Sequence, residues 1–71
     1  MAKMTQKQKL NLAVLTMKVA GYDPVAQLTG YLKTGNLAYI TRQDGARKLV
    51  SEINPAVIKR YLAEQPQMQV A

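Results

Sequence analysis

Apolar positions recur at spacings of three and four residues in four blocks, and each block begins or ends on a recognisable cap residue. Thr5 followed by Gln8 predicts a capping box, after which Leu10, Ala13, Val14, Met17 and Ala20 form one stripe. Gly21 supplies a left-handed closing residue, so a first helix is expected over about residues 6–20. Asp23-Pro24 restarts the chain as N-cap and first helical residue. Val25, Leu28 and Leu32 then point inward, Ala26 and Gly30 permit close approach, and Gly35 terminates the second helix.

"NLAYI" (36–40) is too short for an independent helix and reads as one helical turn or an extended connector. Thr41 with Asp44 gives another cap signal, predicting a third helix over roughly 42–53 that buries Ala46, Leu49, Val50 and Ile53. Its interior Gly45 implies close backbone packing. Asn54-Pro55 repeats the cap-then-proline device for a fourth helix with Val57, Ile58, Tyr61 and Leu62 inward. No strand pair, repeat or low-complexity segment is visible. The expectation is an all-α, compact bundle of four to five short helices, one domain over 1–64, with 65–71 as a flexible tail.

At 71 residues, one core gives a stability of only a few kcal/mol, about 3–5 at most, so burial of a second face by self-association is expected. Seventeen Leu, Val and Ile residues, with some of the four Tyr and four Met, must form that core. Cysteine and histidine are both absent, which excludes disulfides, thiolate metal sites and imidazole chemistry. The longest apolar run, "LAVL" (12–15), is far below the roughly 20 residues needed to span a bilayer. The lysines near the N-terminus are not followed by the hydrophobic core of a leader. A soluble, cytoplasmic protein is expected, with no membrane partner.

The net charge of +6 favours anionic partners. Catalysis is disfavoured, because the only acids are Asp23, Asp44, Glu52 and Glu64, two of them explained as cap residues. No cofactor and no small-molecule substrate are expected. In "TGYLKTGNLAYIT" (29–41) the Lys33-Thr34 pair precedes Gly35, whereas a phosphate loop needs the lysine and hydroxyl after its second glycine. A helix-turn-helix reading takes Ala26 and Gly30 as the turn and requires the helix to break at Gly30. On that alternative the chain is a small basic nucleic-acid-binding protein using Arg42, Arg47, Lys48, Lys59 and Arg60. The tyrosines, Tyr22, Tyr31, Tyr39 and Tyr61, fit the edge of a small core or a dimer seam better than a base-stacking platform.

The stretch "GYDPVAQLTGYLKTGNLAYITRQDGARKLVSEI" resembles the IreB-type regulatory phosphoproteins, a family of small bacterial proteins. The residues in register are Gly21, Tyr22, Asp23, Pro24, Gln27, Leu28, Gly30, Tyr31, Leu32, Thr34, Gly35, Asn36, Ala38, Tyr39 and Ile40, then Ala46 and Arg47. The similarity covers about residues 10–63. It implies an all-helical homodimer without catalytic activity, acting as substrate of a transmembrane Ser/Thr kinase in cell-envelope stress and antibiotic resistance. The sequence departs from the family pattern in three places. A basic "MAKMTQKQK" stands where members carry an acidic segment with phosphoacceptor threonines, Leu37 replaces a proline, and the last helix is less acidic. Thr5 is the candidate phosphoacceptor, although its capping role explains it equally well. The expected dimer or partner interface comprises Tyr22, Tyr31, Leu37, Tyr39 and Ile40. The expected partners are a second copy, and a Ser/Thr kinase or another regulatory protein.

Overall fold

The computed structural model describes residues 3–65. Within them the chain folds into four α-helices, α1 (Gln6–Val19), α2 (Pro24–Thr34), α3 (Ala46–Ser51) and α4 (Pro55–Glu64), with two 3-10 turns between α2 and α3. The all-α expectation holds. The expectation of a flexible tail over 65–71 concerns, apart from Gln65, residues outside those described.

The helix ends follow from local chemistry. The Thr5 hydroxyl accepts from the Gln8 amide at 3.0 Å, and the Gln8 side chain accepts from the Thr5 amide at 2.8 Å. Two orphan donors of α1 are thereby satisfied. At the other end Gly21 takes φ +91°. The Tyr22 amide donates to the Met17 carbonyl and the Gly21 amide to that of Lys18, the paired closure that a left-handed residue makes possible. Asp23 Oδ1 accepts from Val25 and Ala26, and Asn54 Oδ1 accepts from Ala56, each ahead of a proline that has no N–H to satisfy. Such caps stabilise a helix by about 1 kcal/mol each.

The third helix is shorter than expected. Residues 42–53 do not form one helix, because Asp44 (φ 48°) and Gly45 (φ 78°) are both left-handed. Two successive left-handed residues cannot continue a right-handed helix. Thr41 caps only the local turn, accepting from Gln43. Gly45 is therefore a turn residue, with open space where a Cβ would stand, and not a close-packing position inside a helix.

Each structural segment delivers one large, fully buried side chain to a single core: Met17 from α1, Leu28 from α2, Ile40 from the connector, Val50 from α3 and Ile58 from α4. Leu10, Ala13, Val14, Ala46 and Ile53 complete it. α1 packs mainly on α3, and α2 packs on α4 and on the 3-10 turn at Leu37–Tyr39. Gly30 makes that last contact possible, since a Cβ there would lie 2.6 Å from Tyr39 Cδ1. Val25 departs from the predicted inward stripe and is exposed. The start of α1 is tied to the α3–α4 turn through Gln6, whose amide donates to the Glu52 carbonyl and accepts from the Asn54 amide. Lys9 pairs with Glu52 at 3.2 Å beside it.

Candidate functional site

No described helix is long and apolar enough to cross a membrane. No group of three or more acidic side chains, the only candidate ligands here, is gathered for a metal ion among the described residues. The features that remain are exposed surfaces, and two of them stand out.

The first is the outer face of α1. Leu12, Leu15 and Val19 are 41%, 56% and 77% exposed. At about 100° per residue they fall within about 60° of one another, opposite the buried face of Leu10, Ala13, Val14 and Met17. α1 is thus apolar on two opposite sides. Thr16 lies beside the outer ridge, and its hydroxyl donates to the Leu12 carbonyl at 2.8 Å, so its polar group is satisfied inside the helix. Reading inward stripes alone does not pick out these residues. The signal present in the sequence is that Leu12, Leu15 and Val19 remain, at helical spacing, once the core stripe is removed.

The second is a cleft of about 480 Å³ where the connector crosses the start of α2, with Tyr22, Gln27, Tyr39, Thr41, Arg42 and Arg47 among its walls. Gln27 accepts from the Thr41 amide at 3.0 Å, which fastens the connector to α2. Arg47 Nε donates to the Ile40 carbonyl at 3.1 Å, which fastens it to α3.

These positions divide the interface expected from the sequence. Tyr22 and Tyr39 are half-exposed and share the cleft. Tyr31 and Leu37 are partly buried against the core. Ile40 is fully buried inside the protomer, so its side chain presents nothing to a partner, and its assignment to the interface is corrected. The Gln27 and Arg47 bonds both fall on the Ile40–Thr41 peptide unit and hold it to α2 and α3, which keeps the Ile40 side chain in the core.

The cations of the nucleic-acid alternative also divide. Arg42 and Arg47 line this cleft, Lys59 lines a depression with Lys33, and Arg60 lines the groove between α1 and α4. Lys48 is exposed on α3 and lines none of the three. The turn required by a helix-turn-helix is not present at Gly30, because α2 continues through it to Thr34.

Thr5 is exposed at the start of α1, in the same groove as Lys7 and Arg60. Tyr61, also in that groove, has its phenol pKa raised above the ordinary value of about 10, first by burial and then by the Asp23 carboxylate. The folded state therefore favours the neutral phenol. Its contribution to stability is complete below pH 10 and is lost as pH rises towards the folded-state pKa. Tyr61→Phe is expected to remove an ionisation step above pH 10 from the 295 nm absorbance titration of the folded protein. A lost step centred at or below pH 10 would contradict this burial.

A family model described as IreB regulatory phosphoprotein matches residues 1–64, which takes in all four helices, both 3-10 turns and the Thr5 cap. That family is one of regulatory phosphoproteins. The register of Gly21, Gly30, Gly35 and Tyr39 noted in the sequence is met in three dimensions by the α1 closure, the Gly30–Tyr39 contact and the α2 closure. The chain belongs to the IreB regulatory phosphoprotein family.

Proposed function

We propose that this protein is a non-catalytic regulator that works by protein–protein contact as a homodimer, with the outer face of α1 as the seam. The observation that carries this reading is the exposed ridge of Leu12, Leu15 and Val19 on a helix whose other face already fills the core. Reversal about the midpoint between residues 15 and 16 exchanges Leu12 with Val19 and Leu15 with Thr16. An antiparallel copy therefore sets Leu12 of one chain against Val19 of the other, the self-complementary arrangement a two-fold interface requires. Seating the seam here also relieves the shortage of core expected of so short a chain. Sedimentation equilibrium is expected to show a dimer at micromolar concentration, and a monomer at high micromolar concentration would contradict the seam.

Regulation is proposed to run through phosphorylation of Thr5 by a Ser/Thr kinase, in keeping with family membership and with a role in cell-envelope stress and antibiotic resistance. Thr5 is exposed and is the N-cap of α1, whose first turn holds no acid. A phosphoryl group there adds about −2 of charge where the helix dipole and Lys7 favour it. Phosphorylation is therefore expected to keep α1 folded and to change its charge. Thr5→Ala is expected to abolish phosphorylation of the chain in cells, read by phosphate-affinity gel. Retention of the phosphorylated band would assign the site elsewhere.

A further inference from the structure

The cleft between the start of α2 and the connector is lined by more than the two bonds that fasten the chain there. Two of its walls are arginines, and none of the side chains lining it is acidic. The nearest acids in sequence are otherwise placed: Asp23 caps α2 through its carboxylate, and Asp44 sits exposed in the next turn. Arg47 is half-buried and anchored by Nε to the Ile40 carbonyl. Its terminal nitrogens have no protein partner among the described residues. A guanidinium anchored in this way keeps the parallel donors that match an oxyanion bidentately. Arg42 is exposed and adds the second cation. Tyr39 is held by its ring against Gly30, so one aromatic wall is fixed before any ligand arrives. Tyr22 supplies the other, and both rings are half-exposed.

We propose that this cleft binds an oxyanion carried on a polypeptide, a phosphoryl or carboxylate group gripped by Arg42 and Arg47, with Tyr22 and Tyr39 against the residues flanking it. The volume, about 480 Å³, lies within the range of ligand clefts, about 300–1,000 Å³. A nucleic-acid strand is the poorer fit. Its phosphates repeat along a line, and Lys48, Lys59 and Arg60 do not continue the arginine pair along this cleft. The tyrosine walls offer apolar area that a free inorganic anion leaves unused, whereas a peptide covers it. None of Leu12, Leu15 and Val19 lines the cleft, so it remains open to test whether the chain is a monomer or a dimer.

The test is a titration of the ¹⁵N-labelled full chain, followed by amide shifts. The probes are alanine-flanked peptides bearing phosphothreonine, glutamate or glutamine at the centre, inorganic phosphate alone, and a single-stranded oligonucleotide. The expected result is saturable movement of the Gln27, Thr41 and Gln43 amides with one or both charged peptides, at least tenfold tighter than with the glutamine peptide. Comparing the phosphothreonine and glutamate arms identifies which oxyanion is preferred. Arg42→Glu, at an exposed position, is expected to weaken binding at least tenfold while circular dichroism stays unchanged. Arg47→Lys keeps the charge but loses the fork, and is expected to weaken binding to a similar degree. Equal response to the glutamine peptide, no response to any peptide, or no effect of Arg42→Glu would overturn the proposal. So would inorganic phosphate binding as tightly as the phosphopeptide, or the oligonucleotide binding more tightly at these amides than either charged peptide.

Discussion

Leu28→Ala is expected to leave a large share of the protein unfolded at 25 °C. Leu28 lies in the middle of α2, fully buried, and is one of the five largest side chains with no solvent contact. Removing a leucine from such a position costs the lost transfer free energy plus the cavity left behind, about 2–5 kcal/mol. A chain of this length has a total stability of about the same size, so one substitution offsets most of it. Urea unfolding followed by circular dichroism at 222 nm is the measurement. A midpoint within experimental error of the parent protein would show that Leu28 is not in the core. Two controls separate burial from helix effects. Leu28→Met conserves volume and is expected to cost under about 1.5 kcal/mol, and Val25→Ala, on the exposed side of the same helix, is expected to change stability by about 0.5 kcal/mol or less.

Leu15→Asp is expected to convert a dimer into a monomer without reducing helix content. Leu15 contributes nothing to the protomer core, being 56% exposed. Its position nearest the midpoint of the α1 ridge places both copies of the substitution side by side at the proposed two-fold axis. Loss of leucine burial removes about 2 kcal/mol per copy. About 4 kcal/mol for the pair corresponds to roughly a thousandfold in Kd, before any repulsion between the two carboxylates. Sedimentation velocity across a concentration series reads the shift directly. Should the parent chain be a dimer and Leu15→Asp dimerise equally well, the seam lies elsewhere, and the exposed rings of Tyr22 and Tyr39 become the positions to substitute.

Much of the fold is legible in short stretches of sequence because caps act locally. Thr5 with Gln8, Asp23 with Pro24, and Asn54 with Pro55 each bond to amides two or three residues away. Gly21 and Gly35 close their helices through backbone bonds that need only a left-handed residue. The start of the third helix is the exception. "TRQD" (41–44) resembles a cap with an acidic third residue, yet Asp44-Gly45 is a turn dipeptide. The turn is adopted, stabilised by the Arg47 bond to Ile40 and the Gln27 bond to Thr41. Those bonds span 7 and 14 residues, beyond the reach of a local pattern.

The candidate surfaces show the same division. Periodicity identifies the buried face of α1, but it gives no reason to single out the opposite face, since an exposed leucine is common on any protein surface. Only the packed structure shows Leu12, Leu15 and Val19 left uncovered together, and only it shows Ile40 withdrawn from the interface that its neighbours Tyr39 and Leu37 suggested. Arg42 and Arg47 come together in the same way: five residues apart in sequence, they line one cleft because the connector is fastened to both α2 and α3. Residue type and contacts within one turn sufficed for the all-α class, the capped ends of α1, α2 and α4, the absence of imidazole and thiol chemistry and the family, but not for the extent of α3. Which apolar residues stay exposed, and which cations share a cleft, was decided by tertiary structure, because both depend on packing between segments distant along the chain.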